Sequence, residues 1–292
     1  MNITLNEIFI KHRIGDIRED EYTDDKGLPF CKHCKTRRYS YFKADTGEEY
    51  LVRCLCKCQS DKYKEIEEEN KKMKRLEEFR SRQKLSMLGI RYLDARFKNA
   101  IITKHNNEAF DKCESYCENA QIMVENNFGL YIYGDNSSGK TFLTACMCNY
   151  LIENGYSCLY TNMPTLIAEI QKSYSKNDGM GQSEIIDMIE NKRFLFIDDL
   201  GKEFLGREFN PNASKFAEKI MLEVLNSRYN NGLPTIFSSN YSISELAESF
   251  NLDKAIMERI NEMATRVIKL EGDDFRKNQL LLKSDLLKSF GI

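Results

Sequence analysis

Gly134-Asp135-Asn136-Ser137-Ser138-Gly139-Lys140-Thr141 fits the pattern G-x-x-x-x-G-K-[ST], and it sits between an apolar run, Gly129 to Gly134, and a helix-forming stretch, Thr141 to Gly155. A strand, a glycine-rich turn and a helix in that order are the context the motif requires, and they commit the surrounding chain to an α/β layer structure. The glycines let backbone N–H groups curl around phosphate oxygens, and the helix amino end adds a favourable dipole. In this reading residues 134–139 form the cradle, Lys140 reaches the β and γ phosphates of ATP, and the Thr141 hydroxyl ligates magnesium.

The flanking sequence keeps the same rhythm. Strands are predicted at Tyr156 to Asn162, Phe194 to Asp198 and Pro234 to Ser239, with helices around Thr165 to Ser175 and Ser214 to Tyr229. Apolar runs alternating with amphipathic stretches predict a parallel sheet flanked by helices. The run Phe194-Leu-Phe-Ile ends in Asp198 and Asp199, which places two carboxylates at the carboxyl end of a buried strand. Asp198 would hold the magnesium through water, and Asp199 would polarise an attacking water as a general base. Asn240, just past the strand ending in Ser239, is placed to orient that water. Hydrolysis of ATP also calls for a positive charge on the γ-phosphate in the transition state, and Arg259 and Arg276 are the candidates.

Net charge narrows the partners. Lys and Arg number 43 against 45 Asp and Glu in 292 residues, a formal charge of -2, so no overall basic field holds nucleic acid non-specifically. No apolar stretch is long enough to span a membrane, and the first twenty residues lack the apolar core of a secretory signal. The expectation is a cytoplasmic protein with no membrane partner. Between Asp61 and Lys84 the chain has no Gly or Pro and many opposite charges three or four residues apart, which predicts a solvated linker helix over 61–85.

Half of the ten cysteines fall between Cys31 and Cys58, ahead of that helix. Cys31 and Cys34 form a C-x2-C pair, and Cys54, Cys56 and Cys58 a C-x-C-x-C run. Four thiolates suit tetrahedral zinc, and a metal would replace the core that residues 1–60 lack. Five thiols compete for four places, with His33 a further alternative inside the turn. The stretch Thr36 to Tyr39, with Tyr41 and Phe42, reads equally as a DNA or protein contact and as a hairpin packed on the metal site. Cys113, Cys117, Cys146, Cys148 and Cys158 fall on predicted helices and strands as small buried hydrophobes.

Residues 86–292 resemble the AAA+ ATPase domain of bacterial and phage replicative helicase loaders of the DnaC and DnaI type. The segments that carry the resemblance are GIRYLDARFKN, GDNSSGKT, LFIDDLGKE, NSRYNNGLPTIFSSN, MERI and GDDFRK. It implies Lys140 and Thr141 as Walker A residues, Asp198 and Asp199 as Walker B, Asn240 as sensor 1, Arg259 as an arginine finger acting in trans and Arg276 as sensor 2. A finger in trans implies self-association, with ATP at subunit junctions. The loader pattern uses the last two thiols of the second run, which selects Cys31, Cys34, Cys56 and Cys58 for zinc and leaves Cys54 out. The implied partners are the hexameric replicative DNA helicase, bound by the zinc module (1–60) and linker (61–85), and single-stranded DNA. Walker B ends in Asp-Asp where most AAA+ proteins have Asp-Glu, and this shorter carboxylate implies slow hydrolysis. Little sequence follows Arg276, which implies little of a separate helical lid. The rival readings are a transposition helper ATPase of the IstB type, an ATP-switched adaptor with negligible turnover, and a small-molecule kinase.

Overall fold

The computed structural model describes residues 16–43, 49–175, 182–204 and 211–272, and the chain divides into two compact units, Met1–Glu77 and Glu78–Ile292. In the first unit β1 (Glu21–Thr23) pairs antiparallel with β2 (Pro29–Cys31), and β3 (Tyr39–Lys43) with β4 (Glu49–Arg53). The first turn is made by Asp24, whose Oδ1 accepts from the N–H groups of Lys26 and Leu28 at 3.0 and 2.8 Å. Among the described residues the aliphatic core of this unit is Leu28 and Leu51, with Phe30 and Tyr39 packed against it. Polar groups fill the rest. Arg38 donates to Glu21 at 3.0 Å and to Asp20 at 2.5 Å, and Arg53 donates to Glu21 at 2.6 Å. Burial alone would raise the Glu21 carboxyl, but the Arg18 N–H and the two guanidinium groups hold it below its ordinary range.

α1 (Lys57–Leu85) covers the predicted linker and is exposed along most of its length, as its charge pattern requires. The division between the units falls inside it, after Glu77. No helix among the described residues is long and apolar enough to cross a membrane.

The second unit holds α2 (Asn107–Glu118), α3 (Ala120–Glu125), β5 (Leu130–Tyr133), α4 (Lys140–Glu153), β6 (Cys158–Asn162), α5 (Met163–Ser175), α6 (Gln182–Glu190), β7 (Phe194–Leu200), α7 (Pro211–Asn230), β8 (Thr235–Ser239), α8 (Ile243–Phe250), α9 (Lys254–Met263) and β9 (Arg266–Lys269). The strands form one parallel sheet in the order β6-β7-β8-β5-β9. Such a sheet is buried on both faces, so its strands read as unbroken apolar runs. Along β7, Phe194 and Phe196 join one core with Leu143, Met147 and Leu151 of α4, while Leu195 and Ile197 join the other with Ile220 and Val224 of α7. The expected parallel sheet flanked by helices is therefore present, and each expected strand and helix lies within a few residues of its predicted place.

Two buried polar clips tie the layers. The fully buried Arg228 of α7 donates to the carbonyls of Ile189 (3.0 Å), Lys192 (2.5 Å), Arg193 (3.2 Å) and Pro234 (2.5 Å), fastening the amino ends of β7 and β8 to the end of α6. On the opposite face, Asn149 of α4 accepts from Gln83 Nε2 at 2.8 Å and donates to the carbonyls of Tyr92 and Ala95, both at 2.9 Å. Gln83 also donates to the Leu93 carbonyl at 2.7 Å, so the last turn of α1 is built onto the P-loop helix.

Candidate functional site

The P-loop leaves the carboxyl end of β5 and enters α4 as its motif predicts. Two of its residues take left-handed backbone, Ser137 at φ 68° and Gly139 at φ 97°. Gly134 is required for a different reason: a Cβ there would lie 2.1 Å from the Leu270 carbonyl oxygen. Lys140 is 5% exposed, and its Nζ donates to the carbonyls of Gly134 and Asp135, both at 2.8 Å. Burial lowers its pKa, a shift partly offset by Asp199 and Asp198. The Ser138 hydroxyl is buried with no hydrogen-bond partner among the described residues. A folded ammonium and an orphaned hydroxyl at the amino end of α4 suit a polyphosphate, which supplies acceptors to both.

The carboxylates are presented by a break in the sheet. β7 and β8 stay in register from Leu195–Thr235 to Ile197–Phe237 and resume at Leu200–Ser239, so Asp198 and Asp199 bulge opposite Ser238. Asp199 takes a left-handed φ of 56°, a strained conformation of the kind that clusters at functional sites. Its carboxylate pairs with Lys202 at 2.6 Å. Asp198 is buried and accepts a hydrogen bond from the Ser238 hydroxyl; the Thr141 and Tyr160 hydroxyls also face it. Burial raises its pKa, and Ser238 partly offsets that shift. A carboxylate among three hydroxyls, one of them the P-loop threonine, is suited to a hydrated magnesium ion. Asn240 follows β8 directly and is half-buried at the same end of the sheet.

Arg259 is not part of this group. On α9, its Nε donates to Asn226 at 2.8 Å, it pairs with Glu262 at 2.6 Å, and its guanidinium lies 4.1 Å from the Tyr229 ring centroid. Asn226 and Tyr229 are on the last turns of α7, which lead into the amino end of β8, whereas the P-loop leaves the carboxyl end of β5. Arg276 lies outside the described residues.

In the first unit the sulfurs of Cys31, Cys34, Cys56 and Cys58 all lie within 4.8 Å of one another. Cys31 and Cys58 are 3.8 Å apart and Cys56 and Cys58 are 3.3 Å apart, close to the edge of about 3.8 Å in a tetrahedron of zinc–sulfur bonds. Cys54 stands outside the group, and its half-burial pushes its thiol pKa up. The Thr36 hydroxyl, 3.0 Å from its sulfur, pulls the Cys34 thiol down to about 5, while the Cys56 and Cys34 sulfurs push Cys58 up to about 12. Arg38 donates to the sulfurs of Cys31 and Cys56 at 3.7 and 3.6 Å, a cation beside a set of donors that becomes anionic when it holds a metal. The Thr36 to Tyr39 stretch thus packs on the cysteine cluster.

Residues 115–283, more than half of the chain, match the profile of IstB-like ATP binding proteins. The chain belongs to that family. The replicative helicase loader DnaI of Bacillus subtilis (strain 168) is 31% identical over 158 residues, covering 51% of this chain and 47% of DnaI. The loader DnaC of Escherichia coli (strain K12) is 24% identical over 174 residues, 56% of this chain and 66% of DnaC. A crystal structure of DnaI superposes with a TM-score of 0.50 at 27% identity, covering 64% of this chain and 94% of that one. The chain spans about half the length of the DnaI it matches. Its P-loop body is homologous to those of the DnaI and DnaC loaders, as the sequence resemblance implies.

Two residues of this family member's site were not singled out from sequence. Tyr160 lies in a run that reads only as buried strand, whereas Ser238 stands with Ser239 and Asn240 at a strand end that places a neutral polar side chain toward the nucleotide. Glu203 also escaped notice. Its Oε2 accepts from the Gly201 N–H at 2.9 Å while Oε1 is buried without a partner among the described residues, and burial pushes the carboxyl up to about 7.

Proposed function

We propose that this protein is an ATP-dependent loader of a hexameric replicative DNA helicase. The observation that carries the reading is a P-loop body homologous to DnaI and DnaC on the same chain as a four-cysteine cluster and a long charged helix. When bound, ATP supplies the γ-phosphoryl group and magnesium offsets the charge that develops on it. Residues 134–139 wrap the phosphates, Lys140 swings from the Gly134 and Asp135 carbonyls to them, and Thr141 and Asp198 hold the metal. Asp199 takes the proton of the attacking water and Asn240 orients that water. The strained, lysine-paired carboxylate at Asp199 supports slow turnover.

Arg259 acts on the ATP of a neighbouring copy, and its attachment to the α7 end, away from its own P-loop, supports that assignment. Arg276 serves as the second sensor. ATP therefore sits at subunit junctions of a self-associated form, which also builds a single-stranded DNA surface from a few basic residues per copy. Cys31, Cys34, Cys56 and Cys58 hold a structural zinc, and the module over 1–60 with the linker over 61–85 binds the helicase, leaving 86–292 as the ATPase domain.

The test is size-exclusion chromatography with mass detection on the full chain mixed with the replicative helicase of its host, with and without ATP. A defined complex with wild type that loses its ATP dependence in Lys140→Ala is expected. ATP binding without any helicase complex overturns the loader role. It would favour the second reading, a transposition helper, which the match to the IstB-like profile supports.

A further inference from the structure

Tyr160 of β6 lies one strand away from the bulged carboxylates and 7% exposed. Its ring stacks on Phe196 of β7, with centroids 5.7 Å apart and planes 19° from parallel, so neither ring can turn without opening the core. Its backbone is fixed from both sides, in register with Phe196 on one edge and donating its N–H to the Ser86 carbonyl at 2.6 Å on the other. Such support leaves the hydroxyl one position.

That position is among the groups that frame the metal. The Tyr160 hydroxyl is 2.8 Å from Thr144 Oγ1 and 3.5 Å from the Thr141 carbonyl, and it faces the Asp198 carboxylate. Thr144 Oγ1 also lies 3.0 and 3.2 Å from the Lys140 and Thr141 carbonyls, to which it can donate. In the Thr144–Tyr160 hydrogen bond either oxygen can be the donor, and the Asp198 carboxylate, which can only accept, stands beside the pair. One hydroxyl thus touches the first turn of the P-loop helix, which carries Lys140 and Thr141, and faces the carboxylate across from it.

We propose that Tyr160 is a positioning residue of the nucleotide site, setting the Asp198 carboxylate against Thr141 so that a divalent cation bound with the nucleotide finds both in place. The inference rests on the ATP-site reading above. It assigns Tyr160 no direct contact with nucleotide or metal.

The experiment measures binding of a fluorescent ADP to the full chain in magnesium and in EDTA, for wild type, Tyr160→Phe, Asp198→Asn and the double variant. Phenylalanine keeps the ring and its stack and removes only the O–H. In Tyr160→Phe the tightening that magnesium gives should fall roughly tenfold, with affinity in EDTA unchanged. In the Asp198→Asn background the same change should have no further effect, because Tyr160 acts through that carboxylate. A wild-type magnesium response in Tyr160→Phe, or additive losses in the double variant, would overturn the proposal. Absence of nucleotide binding by wild type would instead overturn the ATP-site reading, and this inference with it. If Tyr160→Phe does not fold, Thr144→Val removes the hydroxyl that competes with Asp198 for Tyr160 and should keep or strengthen the magnesium response; a lowered response there would overturn the proposal.

Discussion

Among the described residues, Leu28 and Leu51 are the buried aliphatic core of the amino-terminal unit, whereas β7 alone sends Phe194, Leu195, Phe196 and Ile197 into the two cores of the P-loop body. The first unit is held by Glu21, Arg38 and Arg53 and by four sulfurs gathered around one point; the second is held by packing on both faces of a sheet. Among the described residues, two leucines stand against the conformational entropy of about forty ordered residues at ~1–2 kcal/mol each. An ion bonded by the four sulfurs, as proposed above, would add to the order of that unit, and a buried ion-pair set adds direction more than energy. The contrast sets order that a bound ion would support against order built by packing.

The sharpest way to break that contrast is to remove a sulfur. Cys31→Ser and Cys56→Ser should lose stoichiometric zinc, measured by elemental analysis, and hydrogen exchange across residues 20–56 should reach the unprotected limit. A structural zinc site is worth on the order of 10 kcal/mol. Exchange in the sheet of the P-loop body should stay unchanged, and a loss there would show that the two units are one folding unit. Conversely, Phe196→Ala should cost the body about 3–5 kcal/mol, since it empties a site between the Tyr160 ring and the α4 core, while zinc content stays at wild type.

A smaller effect is expected from Glu203, whose carboxyl burial pushes from 4.5 up to about 7. The folded state keeps this proton where the unfolded chain has lost it, so the stabilisation is full below pH 4.5 and is lost as pH rises through about 7. Glu203→Gln should flatten the pH dependence of the body's melting temperature, by the equivalent of at most about 3 kcal/mol between pH 5 and pH 8. The zinc module should show no such change. A wild-type slope in the variant would place the titrating group elsewhere.

The two units were also unequally legible. Gly134 to Thr141 and Phe194 to Asp199 announce themselves because their chemistry depends on contiguous residues and a local strand–turn–helix context. The C-x2-C and C-x-C-x-C spacings likewise brought the right sulfurs together, and the structure separates Cys54 from the other four. What stayed hidden depends on contacts between distant segments. The bulge that turns out Asp199 is a register shift against β8, and no pattern within β7 encodes it. Arg38 reads as one of several basic residues until Glu21 and two sulfurs are seen around it, and Arg228 until four carbonyls are. For α8 a signal was present and passed over: Ser242 and Glu245 form a capping box, readable as S-x-x-E before Leu246.

The seam at Asn149 has a practical corollary for proteolysis. Gln83 is buried in that seam, and Ser86 lends its carbonyl to the Tyr160 N–H at the open edge of β6. A protease nicking the exposed helix before Glu78 would free the cysteine module and leave a P-loop body with its seam closed. A nick at Ser86 would instead strip Gln83 away, expose the Leu93 carbonyl and the Asn149 side chain, and loosen the strand that pairs with β7 beside Asp198. The fragment that survives digestion should therefore carry the last turns of the helix as part of itself.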